Sequence, residues 1–157
     1  MSTEQIAVIL KSFETPDEVR VLQKGRFELV HLGGMTIGRA TYEPGWKWSE
    51  HVGPSVGATR CNVEHVGLVL SGAATAAFDD GRVVELRAGE LFYIPPVPHD
   101  SWVIGDQPYV SLHFLGADHY TKVGAIDHNR PCCAQPTHLF SNPDRSRQLR
   151  MATLRLA

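Results

Sequence analysis

The sequence predicts an all-β domain of barrel or sandwich type, and three observations carry that reading. Short apolar runs recur between residues 26 and 115. The chain's 14 glycines and 10 prolines mostly fall between those runs and punctuate them as turns punctuate antiparallel strands. Length is the third: 157 residues, 43% of them hydrophobic, make one domain with enough apolar surface for a core.

The elements follow in order. Arg26 to Leu32 reads as a strand, turned by Gly33 and Gly34 into a second from Met35 to Tyr42, which Pro44 and Gly45 break. Trp46 to His51 resumes an extended reading, and the glycines and proline between Val52 and Thr59 predict a loop. His65 to Leu70 is the next strand, ended by Ser71 and Gly72. Ala73 to Phe78 runs into Asp79, Asp80 and Gly81, a hairpin signal because Asp and Gly tolerate positive φ. Arg82 to Leu86 pairs back, Ala88 and Gly89 turn, and Leu91 to Ile94 ends at Pro95 and Pro96. Trp102 to Ile104 and Tyr109 to Leu115 form a last hairpin about Gly105 and Asp106. These are about nine or ten strand candidates at the spacing of all-β folds. The two ends differ from this middle. Thr15 to Leu22 is compatible with a short helix capped by Thr15 or Asp17. From Ala117 onward the chain is polar, without a clear period. The expected organisation is an N-terminal arm over 1–25, a barrel over 26–116 and a C-terminal extension over 117–157.

Composition excludes several classes of function. A net charge of −2 and a pI near 6.4 offer no basic surface for nucleic acid or membrane. No window approaches the run of about 18 apolar residues that a membrane span needs. The N-terminus lacks the basic start, apolar core and cleavage site of a secretory signal. Three cysteines, Cys61, Cys132 and Cys133, are odd in number and badly spaced for a disulfide framework. A reducing cytoplasm is therefore expected.

Two stretches carry candidate chemistry. Gly45 and His51 stand five residues apart, and His65 and Gly72 six apart; Gly89 and Pro95 are again five apart, with His99 close behind. In these positions residues 35 to 115 resemble the cupin family at both of its motifs. The first runs G-x5-H-x-H-x3/4-E-x6-G, and here histidine, as His65, replaces its glutamate. The second runs G-x5-P-x-G-x2-H-x3-N; His99 falls one residue early, Val97 replaces the glycine and Val103 the asparagine. Thirteen residues separate His51 from His65, and Gly53 stands where the second histidine belongs. A loop insertion after His51 brings Cys61 into that role. The resemblance thus implies a cupin double-stranded β-helix, or jelly-roll barrel, and a metal site formed by His51, Cys61, His65 and His99.

Spacing tests this mapping. One straight strand from Cys61 to His65 would separate its ends by about 13 Å. Donors on one ion must lie within about 4 Å of each other. The chain must therefore turn at Asn62, Val63 and Glu64. From His65 onward, alternation puts His65, Gly67, Val69 and Ser71 on one face. Imidazole nitrogens with a thiolate suit zinc best, with iron, nickel or copper as competitors, and suit manganese poorly.

Ordinary structural roles cover most other residues of interest. His31 and His113 lie in strands without motif support and read as structural or surface residues. Asp79 and Asp80 read as turn chemistry, and Trp46, Trp48 and Trp102 as barrel packing. His128, Cys132, Cys133 and His138 match no metal-finger spacing. Glu50, Glu64 and Tyr93 are the candidate acid–base groups. The resulting expectation is a metal-binding protein acting on a small molecule as an oxygenase, isomerase or lyase. The alternative is a non-catalytic sensor or binding module, and a storage role comes third. Expected partners are a small-molecule ligand in the barrel and a second copy of the chain, with no nucleic acid or membrane.

Overall fold

The computed structural model describes residues 8–120, and among these nine strands form two antiparallel sheets. The six-stranded sheet has the order β1-β2-β3-β9-β4-β7 and the three-stranded sheet β6-β5-β8. Its strands are β1 (Glu18–Leu22), β2 (Gly25–Leu32), β3 (Met35–Tyr42), β4 (His65–Ser71) and β5 (Ala73–Phe78). After these come β6 (Val83–Arg87), β7 (Leu91–Ile94), β8 (His99–Asp100) and β9 (Tyr109–Leu115). Two short helical turns, α1 (Trp48–His51) and α2 (Gly53–Val56), interrupt the strands after β3. The predicted all-β class is what the chain adopts.

Most predicted strands are present, for the predicted reasons. Gly33 and Gly34 both adopt positive φ and close a two-residue turn between the paired Leu32 and Met35. The Asp80 carboxylate accepts the Arg82 backbone N–H at 3.0 Å and shapes the β5–β6 hairpin. Alternation holds: His65, Gly67 and Val69 of β4 are buried, as are Tyr109, Ser111 and His113 of β9. Phe27, Leu29, Ala40, Val69, Ala74 and Ala76 bring both sheets into one core. Each large apolar side chain so buried contributes about 1.5–3 kcal/mol.

Three local expectations are corrected. Residues 18–22 form strand β1, not a helix. Asp17 caps nothing helical: its N–H donates to the Leu29 carbonyl at 2.8 Å, and its carboxylate accepts the His31 N–H at 2.7 Å. Pairing with β2 thus satisfies this backbone better than a short isolated helix could. Trp46 to His51 is not continuously extended. Lys47 bridges Trp102, then Trp48–His51 turns helically, because the Asp100 carboxylate accepts both the Ser49 N–H and the Ser49 hydroxyl. Trp102 and Val103 form isolated bridges instead of a full strand, while His99–Asp100 supplies β8.

Candidate metal centre

Cys61 and His99 are brought together by backbone pairing. Each donates its N–H to the other's carbonyl at 2.9 Å, an isolated antiparallel bridge across 38 positions of sequence. Directly opposed residues in such a pair project their side chains to the same side. Between Cys61 and His65 the chain leaves regular structure at Asn62, Val63 and Glu64, so the two residues do not lie on one straight strand. As a result the Cys61 sulfur lies 3.4 Å from His65 Nε2. One donor atom each from Cys61, His65 and His99 falls within 4.8 Å of the others, and all three residues are buried.

The fourth expected donor lies outside this group. His51 ends α1, only half-buried, with its ring Nδ1 2.9 Å from the Lys47 carbonyl oxygen. The helical turn clamped by Asp100 replaces the extended course that would have carried His51 along the sheet.

A residue read as structural stands beside the group instead. His113 projects from β9 with its ring centroid 5.4 Å from that of His65. Gly67 of β4 pairs with His113, so His65 sits diagonally from it on the same face. Alternation along β9 was the signal: Tyr109, Ser111 and His113 share one face of that strand. Tyr120 completes this wall, its hydroxyl accepting a hydrogen bond from Tyr42 at 2.9 Å.

These side chains line a cavity of about 40 Å³, together with Trp46, Trp48 and Phe92. Among the described residues, no Asp, Glu, Lys or Arg lines it. Burial dominates its electrostatics. Desolvation, with help from His113 and His99, holds His65 down to about 2. Desolvation also lowers His113 to about 4, and it lowers His99 against the raising effect of its Val97 contact. The imidazoles are thus neutral at physiological pH, the form that ligates a metal. Burial pushes the Cys61 thiol up to about 11 and holds Tyr42 and Tyr120 well above the usual phenol range.

The donor set fits a transition metal. His99 Nδ1 lies 2.8 Å from the Val97 carbonyl, which fixes the proton on Nδ1 and leaves Nε2 as a lone-pair donor. His65 Nδ1 is buried without a partner. Two imidazoles and a sulfur are borderline-soft ligands suited to zinc and its neighbours. The candidate acid–base residues lie elsewhere: Tyr93 donates to Glu64 on the surface, and Glu50 pairs with Lys47. His128, Cys132, Cys133 and His138 lie outside the described residues.

No family model matches the chain, and no curated protein matches it. Among solved structures it is similar to a Rhizobium leguminosarum protein of unknown function: 19% identical, over 69% of this chain and 95% of that one, TM-score 0.48. An Acidithiobacillus ferrooxidans DUF1255 protein is 21% identical over 62% of this chain and 86% of that one, TM-score 0.47. A Lactobacillus farciminis oxalate decarboxylase is 17% identical, TM-score 0.46; the match covers 66% of this chain but only 32% of that enzyme. These likenesses concern fold alone. The chain's own strand order and sheet pairing show an all-β fold of two antiparallel sheets.

Proposed function

We propose that this protein is a metal-dependent enzyme of small-molecule chemistry, holding one divalent transition metal ion on Cys61, His65 and His99. The observation that carries the reading is the cluster itself: three buried donors within 4.8 Å of one another, on the wall of a cavity free of carboxylates. With His51 outside the group, three protein donors leave a tetrahedral ion one open position, the arrangement of catalytic sites, whereas structural zinc sites are closed. Zinc fits the donors best; iron, nickel and copper compete. The reaction class is oxygenation, isomerisation or lyase chemistry on a compact molecule.

An ion bound there supplies Lewis acidity to an oxygen beside it. The chain's residues do the rest. The Val97 carbonyl orients His99, and Phe92 and Ile94 keep the cavity wall apolar. Tyr42 and Tyr120 are held neutral by burial; Tyr42 donates its proton to Tyr120, which leaves the Tyr120 O–H as the donor in that wall. A neighbouring depression of about 170 Å³ shares Trp48, Cys61 and Tyr120 with the cavity, and these three side chains form the partition a substrate would cross.

Metal analysis of purified protein tests the reading. About one transition metal ion per chain is expected, and His65→Ala should lose most of it. Full stoichiometry in His65→Ala, with the fold intact by circular dichroism, would overturn the assignment.

A further inference from the structure

Among the described residues, four buried side-chain polar atoms lack a hydrogen-bond partner: Nε1 of Trp46 and of Trp48, and Nδ1 of His65 and of His113. All four residues line the same cavity. Buried polar groups are nearly always paired, because leaving one unpaired costs its full desolvation. Four in one place mark a cavity whose partners come from outside the chain.

The two kinds of nitrogen ask for different partners. An imidazole nitrogen can be satisfied by a metal, a donor or an acceptor. An indole N–H is a donor only and does not ligate metal. Beyond an ion, the occupant must therefore carry an acceptor oxygen. Both indoles are held in place. Trp46 stacks on Tyr42 with ring centroids 3.8 Å apart and planes 3° from parallel, and the Trp48 N–H of the backbone donates to the Ser101 carbonyl at 2.8 Å.

Size and charge narrow the choice. A cavity of about 40 Å³ admits only a group of few heavy atoms. A divalent ion and one thiolate would leave a single formal positive charge, and among the described residues no charged side chain lines the cavity. The buried Asp100 carboxylate, which acts on Cys61 and His99 from behind the wall, has its oxygens taken up by Ser49 and the Ser101 N–H. A single negative charge on a small, flat group with two acceptor oxygens meets both conditions.

We propose that the site takes a compact monocarboxylate, one oxygen directed to the metal centre and the other accepting from the indole N–H groups of Trp46 and Trp48. This rests on the metal reading above and names the ligand class it leaves open.

The test uses zinc-loaded full-length protein with 15N-labelled tryptophan, titrated with acetate and, at matched ionic strength, with chloride. The Trp46 and Trp48 indole N–H resonances should shift saturably with acetate, while that of Trp102, which does not line the cavity, stays put. Trp46→Phe and Trp48→Phe should keep their zinc and weaken acetate binding about ten-fold each, the effect of losing one buried hydrogen bond. If zinc binds but acetate moves neither resonance, or chloride moves both equally, the cavity does not select a carboxylate and the inference fails alone. Phenylalanine variants that bind acetate as the parent does sink it too. A parent protein that takes up no zinc overturns the metal reading and this inference with it.

Discussion

Cys61 is the residue on which the metal reading is most exposed. Burial keeps its thiol protonated at neutral pH, and a metal takes only the thiolate, so uptake of the ion must release that proton. The three neighbouring histidines are already neutral and release none. Proton release of about one per ion is therefore expected at pH 7, read by titration in weak buffer. The ion should also shield the sulfur from iodoacetamide. Cys61→Ser should bind metal more weakly and keep its fold, since the barrel core remains. Equal alkylation with and without metal, and unchanged affinity in the serine variant, would return Cys61 to a packing role. That His65, His99 and Cys61 come together was legible because motif spacing reports which side chains share a site. His51 lies apart from them because that spacing presumes an extended chain, and the Asp100 clamp holds this stretch in a helical turn.

At the scale of elements, β4 places the site through what it omits. A Cβ at Gly67 would stand 2.3 Å from the Leu112 carbonyl oxygen and 2.4 Å from the Phe92 ring. The missing side chain lets Phe92 lie across β4 and reach the cavity. Gly67→Ala should cost about 1–3 kcal/mol through overpacking, seen as a lower urea midpoint with an unchanged slope. A variant as stable as the parent would show that Phe92 yields without strain. Most strands, β2 to β7 and β9, were readable, since alternation and turn residues act locally. Of the corrected elements, α1 takes its partner from the distant Asp100, whereas β1 pairs with the adjacent β2 through a two-residue turn in which Lys24, not a glycine, adopts positive φ, so the usual turn residues do not mark it.

For the whole molecule, the buried histidines set the response to acid. His65 and His113 fall to about 2 and about 4 in the folded protein, against 6.5 when exposed. Depressed values mean the unfolded chain takes protons the folded one refuses. Stability is thus fully present above pH 6.5 and is lost as pH falls from there toward 4. Each such histidine contributes a slope of about 1.4 kcal/mol per pH unit. Metal-stripped protein should show its urea midpoint falling between pH 6.5 and 5, and a flat midpoint would contradict the neutral burial of these rings. The assembled state is a separate matter. Among the described residues, β7 ends the larger sheet and exposes Leu91 and Tyr93. We propose that a second copy of the chain covers this edge, since an edge strand presents backbone groups ready for pairing. Light scattering that returns a monomer mass at micromolar concentration would reject the dimer.

By itself the sequence determined the fold class, most of the strands between Arg26 and Leu115 and three residues that could hold a metal ion. These depend on period, turn chemistry and spacing, all written within a few residues. Tertiary structure alone decided that His113, Tyr120 and the two indoles surround those donors, and that His51 does not join them. The physical reason is that a cavity is defined by strands distant in sequence. The backbone pairing of Cys61 with His99 and the diagonal placing of His113 beside His65 arise only when the sheets close.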